Sequence, residues 1–344
     1  MTHTIQLKLA ALAASAALMA PAAWAGNMMV GNGFSPTHFF GKDLTEPWMA
    51  CVKEGTKGAI DFQYFPSGQI AAAAATLDAL NTGLLQVAAV SVGYVTNKLP
   101  LNSVSMLPGM GQTSRQMVTA NRKALAEIPA LAAELKANRI HPLVINLFAP
   151  YQIMSRGEPI DTLEKFDGHL IRTAGAANTL TISELGGSPV EMPAADIYVA
   201  IERGTVDAAL LGLPSVKSYS LQEVLKSISA NGQFGSFTTL LAMDLDVYDK
   251  LPPEQRTVVD DCSLKIEDSV AQLMDDQQQS LLDEFGKMGI TIYSYSDAEL
   301  AKMDQRMKAV GQDFVSRLGA RGLPAEAVYT GYKKILSETP ASTQ

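Results

Sequence analysis

Apolar positions in the first third of the chain fall into short continuous runs and longer stretches with helical spacing. The short runs predict strands over residues 28–31, 60–65 and 85–91, and the spaced stretches predict helices over residues 35–54 and 71–80. A glycine follows each predicted helix, as is common where a helix ends in a left-handed residue. The segment therefore has the order β-α-β-α-β, which is typical of a parallel sheet covered by helices.

The same order of elements returns in the middle of the chain. Strands are predicted over residues 169–173, 188–191 and 206–211, and helices over residues 176–185 and 195–203. The chain has 344 residues, which exceeds what one hydrophobic core usually serves. We therefore expect two lobes, each built on its own sheet.

Further apolar runs connect the two units. Residues 139–148 and 152–155 predict strands at a first crossing between the lobes, and residues 237–243 predict a second crossing. A helix predicted over residues 253–288 is long for a compact domain and fits an element that lies across both lobes, and a short strand over residues 290–293 follows it. We predict an α/β fold with two parallel or mixed sheets, a hinged cleft and a long spanning helix, with ligand at the carboxyl ends of the strands.

The crossings also predict the lobe boundaries. Lobe I is expected to comprise residues 26–147 and about 236–270. Lobe II is expected to comprise residues 148–235 and about 271–344, including the C-terminal helices.

The N-terminal segment has the pattern of a secretory signal peptide. A short charged start containing Lys8 precedes an apolar run over residues 9–23, and the sequence A-W-A at residues 23–25 is an A-x-A cleavage site. The run is shorter than the roughly 20 apolar residues that a membrane-spanning helix needs. We expect residues 1–25 to be removed and the mature chain to begin at Gly26 in the periplasm.

The charge of the chain narrows the class of partner. The formal net charge is −8 at pH 7, and it becomes −9 without the signal peptide because Lys8 is the one charged residue removed. An acidic balance without basic runs argues against nucleic acid as a partner. It does not argue against a small anionic ligand, because one buried arginine can dominate the potential of a pocket.

Two cysteines, Cys51 and Cys262, fall in predicted helices. An even number of cysteines in an oxidising compartment makes a disulfide plausible, and two separately buried thiols are the alternative. The cysteines and the mature histidines show no metal-ligand spacing, so no metal and no cofactor are expected.

A secreted hydrolase is the main alternative to a binding protein. The motifs G-x-S-x-G, S-x-x-K and H-E-x-x-H, the dinucleotide fingerprint and the P-loop are absent from the sequence. The mature histidines have ordinary structural interpretations: His38 lies in the first turn of a helix, His141 precedes a proline on a strand, and His169 begins a strand. We therefore expect no enzymatic activity.

Arg172 is the strongest candidate for chemistry. It lies at the carboxyl end of the apolar strand over residues 169–173, directly before a helix. A guanidinium at this place points toward the expected cleft, where its planar fork matches a carboxylate through two hydrogen bonds. The alternative is an internal ion pair with a neighbouring Asp or Glu.

Several motifs, in their order and spacing, give the chain a resemblance to the substrate-binding components of TRAP (tripartite ATP-independent periplasmic) transporters, the DctP-like family. They are YFPSGQ at residues 64–69, ALNTGLLQVAA at 79–89, LPLNSVSMLP at 99–108, PIDTLEKFDGHLIRT at 159–173, LGGSPVEMP at 185–193, IYVAIERGTVD at 197–207 and LQEVL at 221–225.

The resemblance implies a type II periplasmic-binding-protein-like fold and a set of ligand contacts. It implies that Arg172, the arginine of the I-R-T motif, holds the substrate carboxylate. Gln152 on the preceding strand is expected to donate a second hydrogen bond, and Tyr94 and Gln69 lie where pockets of this family are lined. For Tyr94 and Gln69, a core tyrosine and a turn amide remain the alternatives.

The loop over residues 210–215 also faces the ligand in the family that the chain resembles, and Gly212 and Leu213 are its candidate contacts. The loop lacks both the G-Q-E-N-P sequence of sialic-acid and dicarboxylate binders and the E-W-x-G-P sequence of some keto-acid binders. Ala194 also replaces an aromatic residue of sialic-acid binders. These differences predict a wider and more apolar pocket wall than in sialic-acid binders. Such a wall favours a ligand whose carboxylate is attached to a hydrophobic group, such as an aromatic or branched-chain monocarboxylate.

The resemblance implies two partners, a small organic acid and the membrane permease subunits of a TRAP transporter. Two alternatives stay open at this point. One is a secreted enzyme on the same scaffold, and the other is a subunit that binds a ligand for signalling.

Overall fold

A computed structural model describes residues 27–341, so the predicted signal peptide lies outside the described residues. The strands within this range are β1 (Asn27–Gly31), β2 (Asp61–Phe65), β3 (Val87–Ser91), β4 (Ile140–Leu147), β5 (Gln152–Ser155), β6 (Leu170–Thr173), β7 (Ser188–Glu191), β8 (Ala208–Leu211), β9 (Ser227–Ser229), β10 (Thr238–Asp244) and β11 (Thr291–Tyr293).

The α-helices of the described residues are α1 (Glu46–Gly55), α2 (Thr76–Asn81), α3 (Ser114–Glu127), α4 (Pro129–Ala137), α5 (Gly175–Glu184), α6 (Ile197–Glu202), α7 (Leu213–Ser218), α8 (Leu245–Asp249), α9 (Pro253–Lys287), α10 (Asp297–Gly319) and α11 (Ala325–Ser337). A π-helix over Phe40–Thr45 leads directly into α1.

The strands form two mixed sheets, as the two α/β units predicted. The first sheet has the order β2-β1-β3-β10-β4, in which β1, β2 and β3 are parallel and β10 runs antiparallel to both of its neighbours. The second sheet has the order β11-β9-β5-β8-β6-β7, with β6, β7 and β8 parallel and β5 antiparallel to β8. The predicted α/β fold with two parallel or mixed sheets is confirmed.

The chain passes between the two sheets three times. It leaves the first sheet after β4 and enters the second at β5, and it returns after β9 to β10. It leaves again through α9 and reaches β11 in the second sheet. β10 is buried along its whole length because it lies between β3 and β4, although only residues 240–243 of the strand are apolar.

Helix α9 is 35 residues long and packs against both parts of the molecule. Its first part, up to Met274, belongs to the hydrophobic core around the first sheet, where α9 packs on α1, α3 and β4. Its last part contributes Leu281, Leu282 and Phe285 to the core of the second sheet, where it packs on α7 and β11. The residues between these parts, 275–280, are partly or fully exposed.

A disulfide joins Cys51 in α1 to Cys262 in α9, with the Cα atoms 5.9 Å apart. The bond fixes the first part of α9 to the helix that leads from the π-helix. Trp48 supports the same contact, because its indole N–H donates a hydrogen bond to the Ser263 hydroxyl over 2.9 Å.

Some elements differ from the prediction or were not predicted. The helix predicted over residues 35–54 begins with the π-helix, and helices α3 and α4 and strand β9 were not predicted. The predicted lobe boundaries remain a prediction. The two C-terminal helices have different neighbours, because α10 packs against α5 whereas α11 packs against α3.

Candidate ligand-binding site

A narrow, almost filled cavity lies between the two sheets. It is lined by residues that follow the carboxyl ends of β1, β3, β4 and β6, and by the end of β8. The wall side chains leave room for little more than a water molecule, so a ligand must part them to enter. The position agrees with the rule that ligands of α/β proteins bind where parallel strands end.

Most of the cavity wall is aromatic. The rings that line it are those of Phe34, His38, Phe39, Phe40, Tyr94, Phe148, Tyr151, Tyr219 and Phe237.

These rings come from distant segments and pack on one another. The His38 ring stacks on Phe34 with ring centres 4.5 Å apart, and Phe39 meets Phe148 edge to face at 5.3 Å. The π-helix after His38 helps to form this wall, since Phe40 at its start also lines the cavity. π-Helices are rare and occur often at functional sites.

Arg172 contributes the positive charge of the cavity from the end of β6. Its side chain is 1% exposed, and three of its five N–H groups are held by the protein. Nε donates to the Met192 carbonyl over 3.0 Å, Nη1 donates to the Leu210 carbonyl over 3.3 Å, and Nη2 donates to the Tyr94 hydroxyl over 3.3 Å. Within the described residues one N–H on each terminal nitrogen has no partner, so two donors remain for a ligand carboxylate, which a guanidinium can bind in a bidentate manner.

No Asp or Glu within residues 27–341 forms a salt bridge with Arg172. The alternative of an internal ion pair is therefore not realised in the described part of the chain. A buried cation without a carboxylate partner is costly, because its desolvation is offset only by neutral hydrogen-bond acceptors. The arrangement favours an anion from outside the protein at this place.

Tyr94 lines the cavity as the sequence predicted, beside Arg172. Its hydroxyl oxygen accepts a hydrogen bond from Nη2 of Arg172 and another from the backbone N–H of Ala194 over 3.0 Å. A hydroxyl has two acceptor positions and one donor, so its own proton stays free for a third partner. The Tyr94 hydroxyl can therefore donate to the same ligand group that Arg172 binds.

Two further tyrosines close the cavity near Arg172. Burial raises the pKa of the Tyr151 hydroxyl well above its ordinary value, and the Arg172 charge opposes this change only in part. Burial likewise raises the pKa of Tyr219. Both hydroxyls are therefore protonated at pH 7 and are neutral members of the wall.

His38 also lines the cavity, which the sequence analysis did not predict. Its Nδ1 accepts a hydrogen bond from the Phe40 backbone N–H over 3.1 Å, so the ring proton of the neutral form lies on Nε2. Burial lowers the pKa of His38 to about 3, which keeps the ring uncharged at pH 7. His38 thus acts as an aromatic wall residue with one N–H donor.

Gln152 lies outside the cavity, although it was predicted to contact the ligand. Its amide nitrogen donates to the carbonyls of Pro150 and Gly232, each over 2.9 Å. Its oxygen accepts from the Ser229 hydroxyl and the Gly232 N–H, each over 2.8 Å. These partners use all of its hydrogen-bonding capacity, so Gln152 fastens the segment after β9 and has no free group for a ligand.

The other predicted contacts are at or beyond the edge of the cavity. Gln69 is exposed in the turn after β2 and is not brought to Arg172. In the loop after β8, Leu211 and Ser215 line the cavity, whereas Leu213 packs in the core of the second sheet. Gly212 lies behind the wall, and a Cβ atom there would come within 2.5 Å of the Phe148 ring.

The described residues were also compared with the requirements of a metal site and of a membrane-spanning helix. Within residues 27–341 no three His, Cys, Asp or Glu side chains lie close enough together to hold a metal ion. Over the same residues, no helix is both long and apolar enough to cross a membrane.

Known proteins place the chain in a family. A family model described as bacterial extracellular solute-binding protein, family 7, matches residues 30–318. A curated solute-binding protein of Albidiferax ferrireducens is 24% identical over 275 residues, which cover 79% of this chain and 80% of that protein.

Solved structures agree on the fold. A TRAP solute binding protein from an unidentified marine microbe, specific for aromatic acid ligands and bound to metahydroxyphenylacetate, is 21% identical with a TM-score of 0.85 over 91% of this chain and 98% of that chain. A TRAP solute binding protein from Rhodoferax ferrireducens with copurified benzoate is 22% identical with a TM-score of 0.84 over the same shares. The resemblance seen in the sequence motifs is confirmed, and members of the family are binding proteins. The chain belongs to the bacterial extracellular solute-binding proteins of family 7.

Proposed function

We propose that this protein captures an aromatic monocarboxylate in the cavity between its two sheets and delivers it, in the periplasm, to the membrane permease of a TRAP transporter. The observation that carries the proposal is a buried arginine without an acidic partner in the described chain, surrounded by aromatic rings. The family supplies the role of a binding subunit, and the cavity supplies the chemistry of the ligand.

The carboxylate is inferred from the donors at one end of the cavity. Arg172 has one free N–H on each terminal nitrogen, and Tyr94 has a free hydroxyl proton beside it. Together they offer three donors to a planar anion, and charge-assisted hydrogen bonds of this kind are the strongest that a protein forms. A neutral ligand would leave the Arg172 charge buried and uncompensated.

The aromatic part of the ligand is inferred from the other residues that line the cavity. Nine aromatic rings line the cavity, and Arg172 is its single charged lining residue at pH 7 because burial keeps His38 neutral. Aromatic side chains pack on other rings in edge-to-face or offset arrangements, which a flat ligand can extend. The two similar TRAP proteins, which were solved with metahydroxyphenylacetate and with benzoate, support this choice of ligand.

Binding without turnover is part of the proposal. The polar residues at the carboxylate end are donors that hold an anion, and within residues 27–341 no Asp, Glu or His forms a hydrogen bond with Arg172 or Tyr94. His38 is neutral, but its Nδ1 already accepts the Phe40 N–H, so this nitrogen cannot accept a proton from a substrate without breaking that bond. We therefore expect the ligand to leave the protein chemically unchanged.

Isothermal titration calorimetry with benzoate, phenylacetate, mandelate and the non-aromatic controls malonate and galacturonate tests the proposal. The wild type is expected to bind at least one aromatic acid and to release it unchanged, as judged by chromatography. Arg172→Ala is expected to lose about 2–5 kcal/mol of binding free energy, because the carboxylate then lacks its charged partner. Arg172→Lys should not restore it, since an ammonium lacks the planar fork.

Arg139→Ala is the matched control, because Arg139 is an exposed arginine that pairs with Asp246 away from the cavity. It should bind like the wild type. Equal affinity of Arg172→Ala and wild type would refute the carboxylate clamp, and preferential binding of malonate or galacturonate would refute the aromatic body.

A further inference from the structure

Three polar residues lie side by side on the first sheet, and the central one lines the cavity. Thr239 of β10 is paired directly with Ser91 of β3 on one side and with Asn146 of β4 on the other. Residues directly opposite in antiparallel strands project from the same face of a sheet. Ser91, Thr239 and Asn146 therefore form one row across three adjacent strands, which we call the polar row.

The polar row is buried, and its hydrogen-bonding capacity is largely unused. Ser91, Thr239 and Asn146 are 1%, 1% and 2% exposed. The Ser91 hydroxyl and both polar atoms of the Asn146 amide have no hydrogen-bond partner within the described residues. Buried polar groups are almost always paired in folded proteins, so unpaired groups that share one place require an explanation.

The position of the polar row points to a ligand. Thr239, at its centre, lines the same cavity as Arg172. Arg172 belongs to the second sheet and Thr239 to the first, so the two residues stand on opposite walls. A ligand whose carboxylate is held by Arg172 would therefore extend its far end toward the polar row.

We propose that the polar row is a second binding subsite, which receives a neutral hydrogen-bonding substituent, a ring hydroxyl, at the end of the ligand remote from its carboxylate. The inference rests on the proposed function and narrows its substrate class to hydroxylated aromatic acids. The residue types fit this group, because two hydroxyls and an amide both donate and accept, as a phenol does. A second carboxylate does not fit, since the polar row contains no cation.

The test compares benzoate with 3-hydroxybenzoate, 4-hydroxybenzoate and the corresponding methylbenzoates, which fill the same space without a hydrogen bond. In the wild type, at least one hydroxybenzoate is expected to bind about 10-fold more tightly than its methyl counterpart. In Thr239→Val, a substitution that keeps the shape, this ratio is expected to fall to about 1 or to reverse. Asn146→Leu is a second variant, in case Thr239→Val does not fold.

Several outcomes would overturn the subsite. They are equal affinity of hydroxy and methyl ligands for the wild type, or a hydroxyl preference that persists in both variants. A crystal structure of the hydroxybenzoate complex in which only water meets the polar row would do the same. These results leave the proposed function intact as long as benzoate still binds and Arg172→Ala weakens its binding as expected above. Failure of every aromatic acid to bind the wild type would instead refute the proposed function.

Discussion

The Arg172 guanidinium donates a hydrogen bond to the Tyr94 hydroxyl over 3.3 Å, and this contact joins the second sheet to the turn that follows β3 of the first. The same hydroxyl accepts the backbone N–H of Ala194, which follows β7. One tyrosine oxygen therefore receives two donors from the other sheet across the cleft. A ligand carboxylate placed beside Arg172 would join a contact that already spans the two halves of the molecule.

Tyr94→Phe should weaken binding of an aromatic acid about 10- to 100-fold, because the carboxylate loses one donor and Arg172 loses one acceptor. The ring and its packing on Phe237 at 5.2 Å are kept, but Arg172 and the Ala194 N–H each lose an acceptor, so the free energy of unfolding should also fall by about 1–3 kcal/mol. Calorimetric titration measures the affinity. Tyr198→Phe is the control, since Tyr198 bonds to Glu223 outside the cavity and its loss should leave affinity unchanged.

Gly175→Ala should lower ligand affinity at least about 10-fold by holding the two sheets apart. Gly175 has φ +80°, and a Cβ atom there would lie 2.4 Å from the Gly93 carbonyl oxygen, which belongs to the turn after β3. Gly168→Ala is a close control, because Gly168 has φ +79° but open space around its Cβ position. Both variants carry similar backbone strain, so equal affinity losses in the two would contradict a role for close approach at Gly175.

Replacement of both Cys51 and Cys262 by alanine should lower the free energy of unfolding by about 3–5 kcal/mol, because the disulfide closes a long loop in the unfolded chain. The sequence separation of the two cysteines is 211 residues. Guanidinium unfolding, followed by circular dichroism, measures the effect. Ligand affinity should change little, since neither cysteine lines the cavity. A decrease in the free energy of unfolding of less than about 1 kcal/mol would contradict the explanation by loop closure.

Acid should destabilise the protein between pH 6.5 and pH 5 through His38, which is buried, and His141, which is partly buried. Burial lowers the pKa of His38 to about 3 and that of His141 to about 4, both from 6.5. In this window the unfolded chain holds protons on both rings and the folded chain does not. The free energy of unfolding therefore falls with decreasing pH, by up to about 1.4 kcal/mol per pH unit for each histidine.

Denaturant titrations at several pH values check this slope. His141→Phe keeps an aromatic ring on Tyr248, where the imidazole stacks with ring centres 3.5 Å apart, and it should remove about half of the slope. His38→Phe should remove the other half. A slope that is the same in both variants as in the wild type would place the titrating groups elsewhere.

Much of the fold could be predicted because its signals are local. β5 and β7 were predicted with their observed bounds, since glycine and proline residues close to both ends limit each of these short strands. Helices α3 and α4 were not predicted, although Thr113 caps the first by accepting the Gln116 N–H and Pro129 begins the second. Those capping residues are local signals of the same kind.

The candidate site could be predicted only where a single residue and its sequence neighbours indicate a role in binding. Arg172 was predicted because a charged residue at the end of an apolar strand is conspicuous. The aromatic wall was not predicted, because Phe34, Phe148 and Phe237 meet only through the pairing of distant strands. Gln152 was predicted to contact the ligand but does not line the cavity. The sequence pattern could not reveal that the Gly232 carbonyl and the Ser229 hydroxyl already form hydrogen bonds with its side-chain amide.

Helix α9 gives the two halves a shared mechanical element. Its first part is fixed to α1 by the disulfide at Cys262, and Leu281 and Phe285 in its last part are buried in the core of the second sheet. Residues 275–280 are partly or fully exposed, although Asp275 still accepts the backbone N–H groups of Ser114 and Arg115 at the start of α3. A relative rotation of the two sheets would therefore bend the helix most easily over residues 276–280, between its two anchored parts. Substitutions that stiffen or loosen residues 276–280 should then change ligand affinity from outside the binding site.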